Sequence, residues 1–361
     1  MSGAAAMMKP KRVRVVVGAA LIASLGLLPT MSVRAEEVTL TESGSTLIYP
    51  LMNVWANEYA KTHPDVKITT ASTGSAAGIS QALSGAVQIG TSDAYMSDQQ
   101  ASEHPQFINV PMAISAMTVN YNLPGQNAMA LKLDGPTLAG IYSGKIRQWD
   151  DKALVALNPG VTLPHHDIVP VHRADGSGDT FVFTQYLSFS TPTWENTIGY
   201  GTSIPWPDVP GALSADGNTG VLKIVQQTPY SLTYLGVTFH AAILESKLGT
   251  AFLKSYSGEF LLPTPQTIAA AAASLTPRTP PDERLTLVNA PGANCYPLVN
   301  YEYAIVLTKQ ATPAIAAALK RFLLWAIAPD ETNGAYLDEA HFIPLPAHIW
   351  VLSHDQIQKI H

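Results

Sequence analysis

The chain has 361 residues, 47% of them apolar and 13% charged, which excludes a disordered chain and leaves room for two domains. Twenty-one Lys and Arg stand against 27 Asp and Glu, a formal charge of −6 that argues against nucleic acid or an anionic membrane as partner. The 27 prolines favour stiff loops between short elements over long helical bundles.

Residues 1–35 read as an export signal. Lys9, Lys11, Arg12 and Arg14 form a basic start, "VVVGAALIASLGLL" an apolar core, and "SVRA" puts Val33 and Ala35 at the small-residue positions before a cut ahead of Glu36. The apolar run is shorter than the ~20 residues of a membrane span, and Pro29 closes it. No cysteine near the cut offers a lipid attachment point, and no adjacent arginine pair appears, so the chain is expected to cross the membrane unfolded. The segment holds five basic residues and no acid, so cleavage near Ala35 leaves 16 Lys and Arg against 27 acids, a balance of −11. The single cysteine, Cys295, cannot form an internal disulfide and reads as a small buried apolar residue.

"EVTLTESGSTLIYPLMNVWANEYAKTHPDVKITTAS" reads strand, loop, helix, strand. Leu51, Val54, Trp55 and Tyr59 share one helical face, and His63 and Pro64 end the helix. "GSAAGISQALSG" opens a second helix, and "AVQIGTSD" is a third strand ending in a polar loop. This β-α-β-α-β alternation predicts a parallel, helix-covered sheet, with ligands in the crevice beyond the strands' carboxyl ends. The pattern restarts near residue 113, with a strand in "AMTVNYNLP" and a short helix starting near Pro136. "DIVPVHRADGSGDTFVFTQYLS" is strand, loop, helix. Residues 258–296 are rich in proline and alanine and give no clear boundaries. "VNYEYAIVLT" is a strand, and "TPAIAAALKRFLLWAIA" is a helix capped by Thr312 with Pro313 first. Short elements fill 330–361.

Three loops have the grammar of an anion site. "ADGSGD" lies at a strand-to-helix junction, where glycines admit close approach and the first helical N–H groups carry the positive end of the dipole. Arg173 adds a planar cationic fork, Asp175 can hold it, and Ser177 adds a hydroxyl. Thr46 in "ESGSTLIYP" and Ser75 in "TGSAAG" repeat the arrangement at two other helix starts, although each alone also suits a plain N-cap. Asp93, in "GTSDAYMS", would repel an anion unless the ligand brings a proton. That condition favours phosphate over sulfate. The other reading of Asp93 is an acid capping the segment that follows it.

The stretches "GSTLIYPLMNVWANEY", "GSAAGISQALSGAVQIGTSDAYMSD", "LAGIYSGKIRQWDD", "LNPG" and "HRADGSGDTFVFTQYL" together resemble the periplasmic phosphate-binding proteins of high-affinity phosphate ABC transporters. The resemblance runs from about residue 38 to the C-terminus and is weakest over 240–295. It implies a two-lobed α/β periplasmic binding protein fold, each lobe a mostly parallel sheet flanked by helices, with the ligand in the cleft between them. Residues 36–112 and about 296–361 would form one lobe, and about 113–295 the other. The implied function is to bind inorganic phosphate in the periplasm and deliver it to the permease subunits of an ABC transporter at the inner membrane. The protein would be a monomer, with no catalytic residue, cofactor or metal.

By the family pattern, Thr46 and Leu47 donate from the first helix start, Ser75 from the second, and Asp93 accepts the phosphate proton. Arg173, Ser177, Gly178 and Asp179 bind from the opposite lobe, with Asp175 steadying Arg173. Leu47 replaces a frequent phenylalanine, which matters little for a main-chain donor. Asp179 replaces the usual threonine. Its side chain either points away while its N–H still donates, with Thr180 supplying a hydroxyl, or faces the ligand and favours the more protonated phosphate. Two rival functions are a receptor for another tetrahedral oxyanion and an exported phosphate-ester hydrolase using Ser177. The hydrolase needs a base or metal. "DGSGD" lacks the glycine and final acid of a calcium loop, no HExxH set accompanies His165 and His166, and His172 falls on the other side of its strand from Arg173.

Overall fold

The computed structural model describes residues 37–127, 129 and 131–361, together with residues 3 and 9–11. The expected export signal falls outside them apart from those few positions. Val38–Gly44 (β1) lies between Val66–Thr69 (β2) and Ile89–Ser92 (β3) and runs parallel to both. Parallel neighbours need a crossover, and Tyr49–Thr62 (α1) and Ser75–Leu83 (α2) supply it, as the alternation predicts. Pro50 sits in the first turn of α1, where its missing N–H costs nothing. Leu51, Met52, Trp55 and Tyr59 are buried, while Val54 of the expected face is only half-buried. The face is turned toward the helix Glu331–Glu339, on which α1 packs and where Trp55 Nε1 donates to Asn333 Oδ1 at 2.9 Å.

Phe107–Asn122 (β4) is one strand of 16 residues, buried except at its last residue. The expected restart near residue 113 and the strand at 116–124 therefore need correction, since the chain passes that point without a turn. Val169–Arg173 (β5) leads into the helix Gly178–Ser190 (α3). Leu213–Ala215 (β6) leads into Gly217–Gln227 (α4), and Ser231–Gly236 (β7) follows. The strand Val299–Leu307 (β8) precedes Pro313–Ala326 (α5), whose N-cap Thr312 accepts from Ile315 N at 3.2 Å. The tail holds a full 12-residue helix, Ala347–Gln358 (α6), longer than the short elements expected there.

The principal sheet runs β2-β1-β3-β8-β4-β7-β5-β6. Its two flanks are parallel, and β8 and β4 join them in antiparallel pairing. Phe107–Ala116 of β4 pairs with β8, and Met117–Asn122 pairs with β7, so one strand joins the two flanks of the sheet. Pro111 is tolerated because the register with β8 skips Met112 there: Glu302 faces Ala113 while Tyr303 faces Pro111. A bulge accepts a residue without an N–H and redirects the side chains beside it. Among the described residues no helix is long and apolar enough to cross a membrane. Cys295 is buried, with Sγ turned to Pro291 O at 3.5 Å.

Candidate functional site

The loops after β1, β3 and β5 and the starts of α2, α3 and α4 meet at one place. Arg173, the last residue of β5, is almost fully buried. Its Nε donates to Asp175 Oδ1 at 2.7 Å and its Nη2 to Asp175 Oδ2 at 2.5 Å, the planar two-point grip that fixes a guanidinium. Its Nη1 reaches Thr46 Oγ1 at 3.1 Å, 127 residues away in sequence, and also Asp179 Oδ2. Thr46 Oγ1 accepts in addition from Asn218 Nδ2 at 2.7 Å, and the same amide donates to Asp179 Oδ2 at 2.7 Å.

On the facing loops, Ser75 begins α2 and its Oγ accepts from Asp93 N at 3.2 Å. Asp93 Oδ1 accepts from Ser45 Oγ, which in turn receives Leu47 N at 3.0 Å and Ile48 N at 3.3 Å. The Leu47 N–H is therefore directed at Ser45, while its side chain lies against Gly236. Gly178 opens α3 so close to these loops that a Cβ there would stand 2.5 Å from Ser75 Oγ and from Asp93 Cβ, and in contact with Asp93 Oδ2. Gly74 is constrained likewise: its φ is +92°, and a Cβ would lie 2.5 Å from Asp175 Oδ2. Ala76 N donates to Gly176 O at 3.0 Å. Ser177 caps α3, its Oγ accepting from Thr180 N at 3.3 Å, and the N–H groups of Gly178 and Asp179 have no partner inside a helix that starts there.

All eight residues singled out in the sequence thus converge: Thr46, Leu47, Ser75, Asp93, Arg173, Ser177, Gly178 and Asp179 form one connected, buried cluster. A cavity of about 380 Å³ opens beside it between Thr46, Thr73, Asp175 and Asn218. A larger apolar cavity of about 550 Å³, lined by Leu244, Phe252 and Phe342, shares none of these residues and holds none of this chemistry. Of the two conformations open to Asp179, the outward one is not adopted; the side chain is buried against Arg173 and Asn218. Thr180 Oγ1 meets Tyr234 OH at 2.7 Å and bonds to none of the eight residues. His172 is turned away and stacks on Trp206 at 4.5 Å.

Ser45, Asn218, Tyr234 and Glu302 belong to the cluster and were not singled out. Ser45 lies in the quoted loop beside Thr46, and "ADGNTG" repeats the strand-to-helix glycine grammar around Asn218. Glu302 had a visible signal, an acid inside the apolar strand "VNYEYAIVL". Tyr234 OH accepts from Arg173 N at 3.1 Å; no sequence pattern marks it.

Charge in the cluster is unbalanced. Burial, then the neighbouring Glu302, hold the Asp93 carboxyl far above the usual carboxylate range, against the pull of Ser45 and Arg173. Burial and Asp93 push Asp179 up to about 7, against Arg173 and Asn218. Burial also raises Glu302. Asp175 is half-buried, which opposes ionisation, but Arg173 outweighs that and holds it below the ordinary value. Among the described residues no group of three His, Cys, Asp or Glu is placed to hold a metal.

Two α/β lobes that enclose a buried polar cluster at their strand ends define a solute-binding protein, and a model of the PBP superfamily domain matches residues 32–330. The phosphate-binding protein PstS of Methanocaldococcus jannaschii is 32% identical over 317 residues, spanning 83% of this chain and 81% of the relative. That of Pasteurella multocida is 32% identical over 334 residues, 92% of each chain. The phosphate-binding protein structure from Stenotrophomonas maltophilia shares the fold, with a TM-score of 0.66 at 18% identity over 88% of this chain and 94% of that one. The chain belongs to the PstS family of phosphate-binding proteins.

Proposed function

We propose that the protein binds inorganic phosphate between its lobes in the periplasm and passes it unchanged to the permease subunits of an ABC transporter, acting as a receptor and not as an enzyme. The relatives' names support the ligand. The observation that carries the reading is the placement of a buried, doubly gripped Arg173 against Thr46, with Asp93 and Ser75 facing the first turn of α3. A guanidinium, several hydroxyls and free helix-start N–H groups suit a tetrahedral oxyanion, and enclosure from water strengthens each of them. Thr46 and Ser75 donate from residues 36–112 with about 296–361, where Leu47 shapes the loop with its N–H given to Ser45 Oγ. Arg173, Ser177, Gly178 and the Asp179 N–H donate from about 113–295. β4 runs between the two sets, exchanging strand partners at Ala116 and Met117.

Asp93 sets the selectivity. Its carboxyl offers the ligand an acceptor oxygen, which takes a hydrogen bond from the proton that phosphate and arsenate keep and finds none on sulfate. Competition calorimetry with phosphate, sulfate and arsenate tests the reading. Phosphate and arsenate bind, and sulfate binds roughly 100-fold more weakly or not at all, the order of a lost charged hydrogen bond. Sulfate binding as tight as phosphate overturns it.

A further inference from the structure

The floor of the cluster holds two acids in contact. Ser92 faces Tyr303 in the antiparallel pairing of β3 with β8, so the next residues along, Asp93 and Glu302, stand opposite one another. Their carboxyl groups lie within hydrogen-bonding reach. Two carboxylates cannot both stay ionised at such contact away from water; a pair of this kind keeps a proton between its members and titrates as a unit. The environment decides which member is the anion. Ser115 Oγ donates to Glu302 Oε1 at 2.6 Å, and Asn300 Nδ2 donates to the same oxygen at 3.0 Å. Glu302 is therefore the better solvated of the two. Its Oε2 is fully buried with no other partner, which leaves it for a proton carried by Asp93. The β4 bulge opposite Glu302 and Tyr303 sets the local register, and Asn300 also donates to the Asp93 main-chain oxygen at 3.4 Å.

We infer that Glu302 is a positioning residue that shares one proton with Asp93, and that this shared proton must be present for the cleft to close on phosphate. The inference rests on the phosphate reading. Arg173 from β5 is the cation facing the pair, and Asp179 from the first turn of α3 is the acid facing it. Asp175, from the loop between them, is committed to Arg173. Ser45 after β1, Ser75 on α2, Ser115 on β4 and Asn300 on β8 are the neutral groups around it. One guanidinium thus serves two aspartates before any ligand arrives. A doubly ionised Asp93–Glu302 pair would add a second uncompensated charge beside a phosphate that is itself negative. With the proton retained, the pair carries one charge, and Asp93 keeps lone pairs to accept from the ligand. Opening the cleft hydrates the pair and makes the proton easier to lose, so binding at neutral and alkaline pH must draw that proton back from solvent.

The test is phosphate calorimetry on the mature chain and on Glu302→Gln, in buffers of different ionisation enthalpy and across pH. Gln keeps the shape and leaves Asp93 as a lone carboxylate, a pair of the same net charge with no proton to lose. Wild type is expected to take up close to one proton more per phosphate than Glu302→Gln. Its affinity should fall, relative to the variant, by about tenfold per pH unit on the alkaline side, the slope that one linked proton dictates. At acid pH the two affinities should agree. Equal proton uptake with parallel pH profiles overturns the inference and leaves phosphate binding standing. No phosphate binding by wild type at any pH overturns the phosphate reading instead. A merely structural Glu302 would weaken the variant equally at every pH. Should Glu302→Gln not fold, Ser115→Ala decides: loss of a donor to Glu302 makes the pair hold its proton harder and moves the alkaline fall to higher pH, and an unmoved fall overturns the inference.

Discussion

Arg173 and Asp179 form an ion pair in which each side chain is only 1% exposed. The pair spends one nitrogen of the guanidinium on a residue of the same lobe. Asp179 Oδ1 is also buried and has no partner. Its ionised form would compete with an anionic ligand for Arg173. With its pKa raised to about 7, Asp179 is neutral below that pH and anionic above it. Wild-type affinity for phosphate should therefore decline as pH rises through 7. Asp179→Thr should bind roughly tenfold more tightly at about pH 8 and equally at about pH 5, a difference of one pKa unit's worth of interaction. Calorimetric titration across pH checks this, and identical profiles remove any part for Asp179 in ligand protonation.

Removing the guanidinium should be far more costly to binding. Arg173→Met leaves Asp175 and Asp179 without their cation and takes away the only full positive charge described in the cluster. Phosphate affinity should drop by about 100-fold or more, in line with several kcal/mol for breaking a buried charge pair. The melting temperature should fall less than that figure suggests, because Asp179 can take up a proton instead of remaining a bare charge. Parallel calorimetry and thermal unfolding separate the two effects.

Gly178→Ala isolates closure from folding. The added methyl would stand 2.5 Å from Ser75 Oγ, across the approach between α3 and the loop carrying Asp93. Within its own helix alanine is favourable. The variant should fold with normal stability, fail to close, and lose phosphate affinity by 10-fold or more, since closure supplies the contacts that tighten binding. Small-angle scattering with and without phosphate checks it: wild type compacts, and Gly178→Ala does not.

Glu283 predicts a pH effect on stability that has nothing to do with the ligand. It is buried, accepts from Ser353 Oγ at 2.8 Å, and burial pushes its pKa from 4.5 up to about 8. A carboxyl whose folded pKa exceeds its unfolded one stabilises the fold fully below about 4.5 and loses that contribution as pH rises toward 8. Glu283→Gln should match wild type near pH 4.5 and melt at a higher temperature near pH 8. A constant difference at all pH values would show that Glu283 acts only through packing.

Local pattern was enough to find the strands and helices that carry the site. The alternation over residues 38–92 predicts the parallel flank of one lobe, and the glycines with Arg173, Asp175 and Ser177 predict a strand-to-helix anion loop, because these features depend on neighbours within a turn or two. What failed was set at long range. The 16-residue β4 looked like a fresh start at residue 113 because nothing in its own sequence says that β8 pairs with its first part and β7 with its second.

The site divides the same way. The amino-acid sequence by itself determined an acidic α/β chain with donor-rich helix starts, an arginine and acids among them, and its resemblance to a family implied the two lobes. Only the tertiary structure decided that Asp179 turns inward to Arg173, that Asn218 joins them, and that Glu302 lies against Asp93. Each of those contacts joins different secondary elements, and the protonation of a buried acid depends on which charges the fold brings within a few ångströms of it, a distance that sequence spacing does not encode.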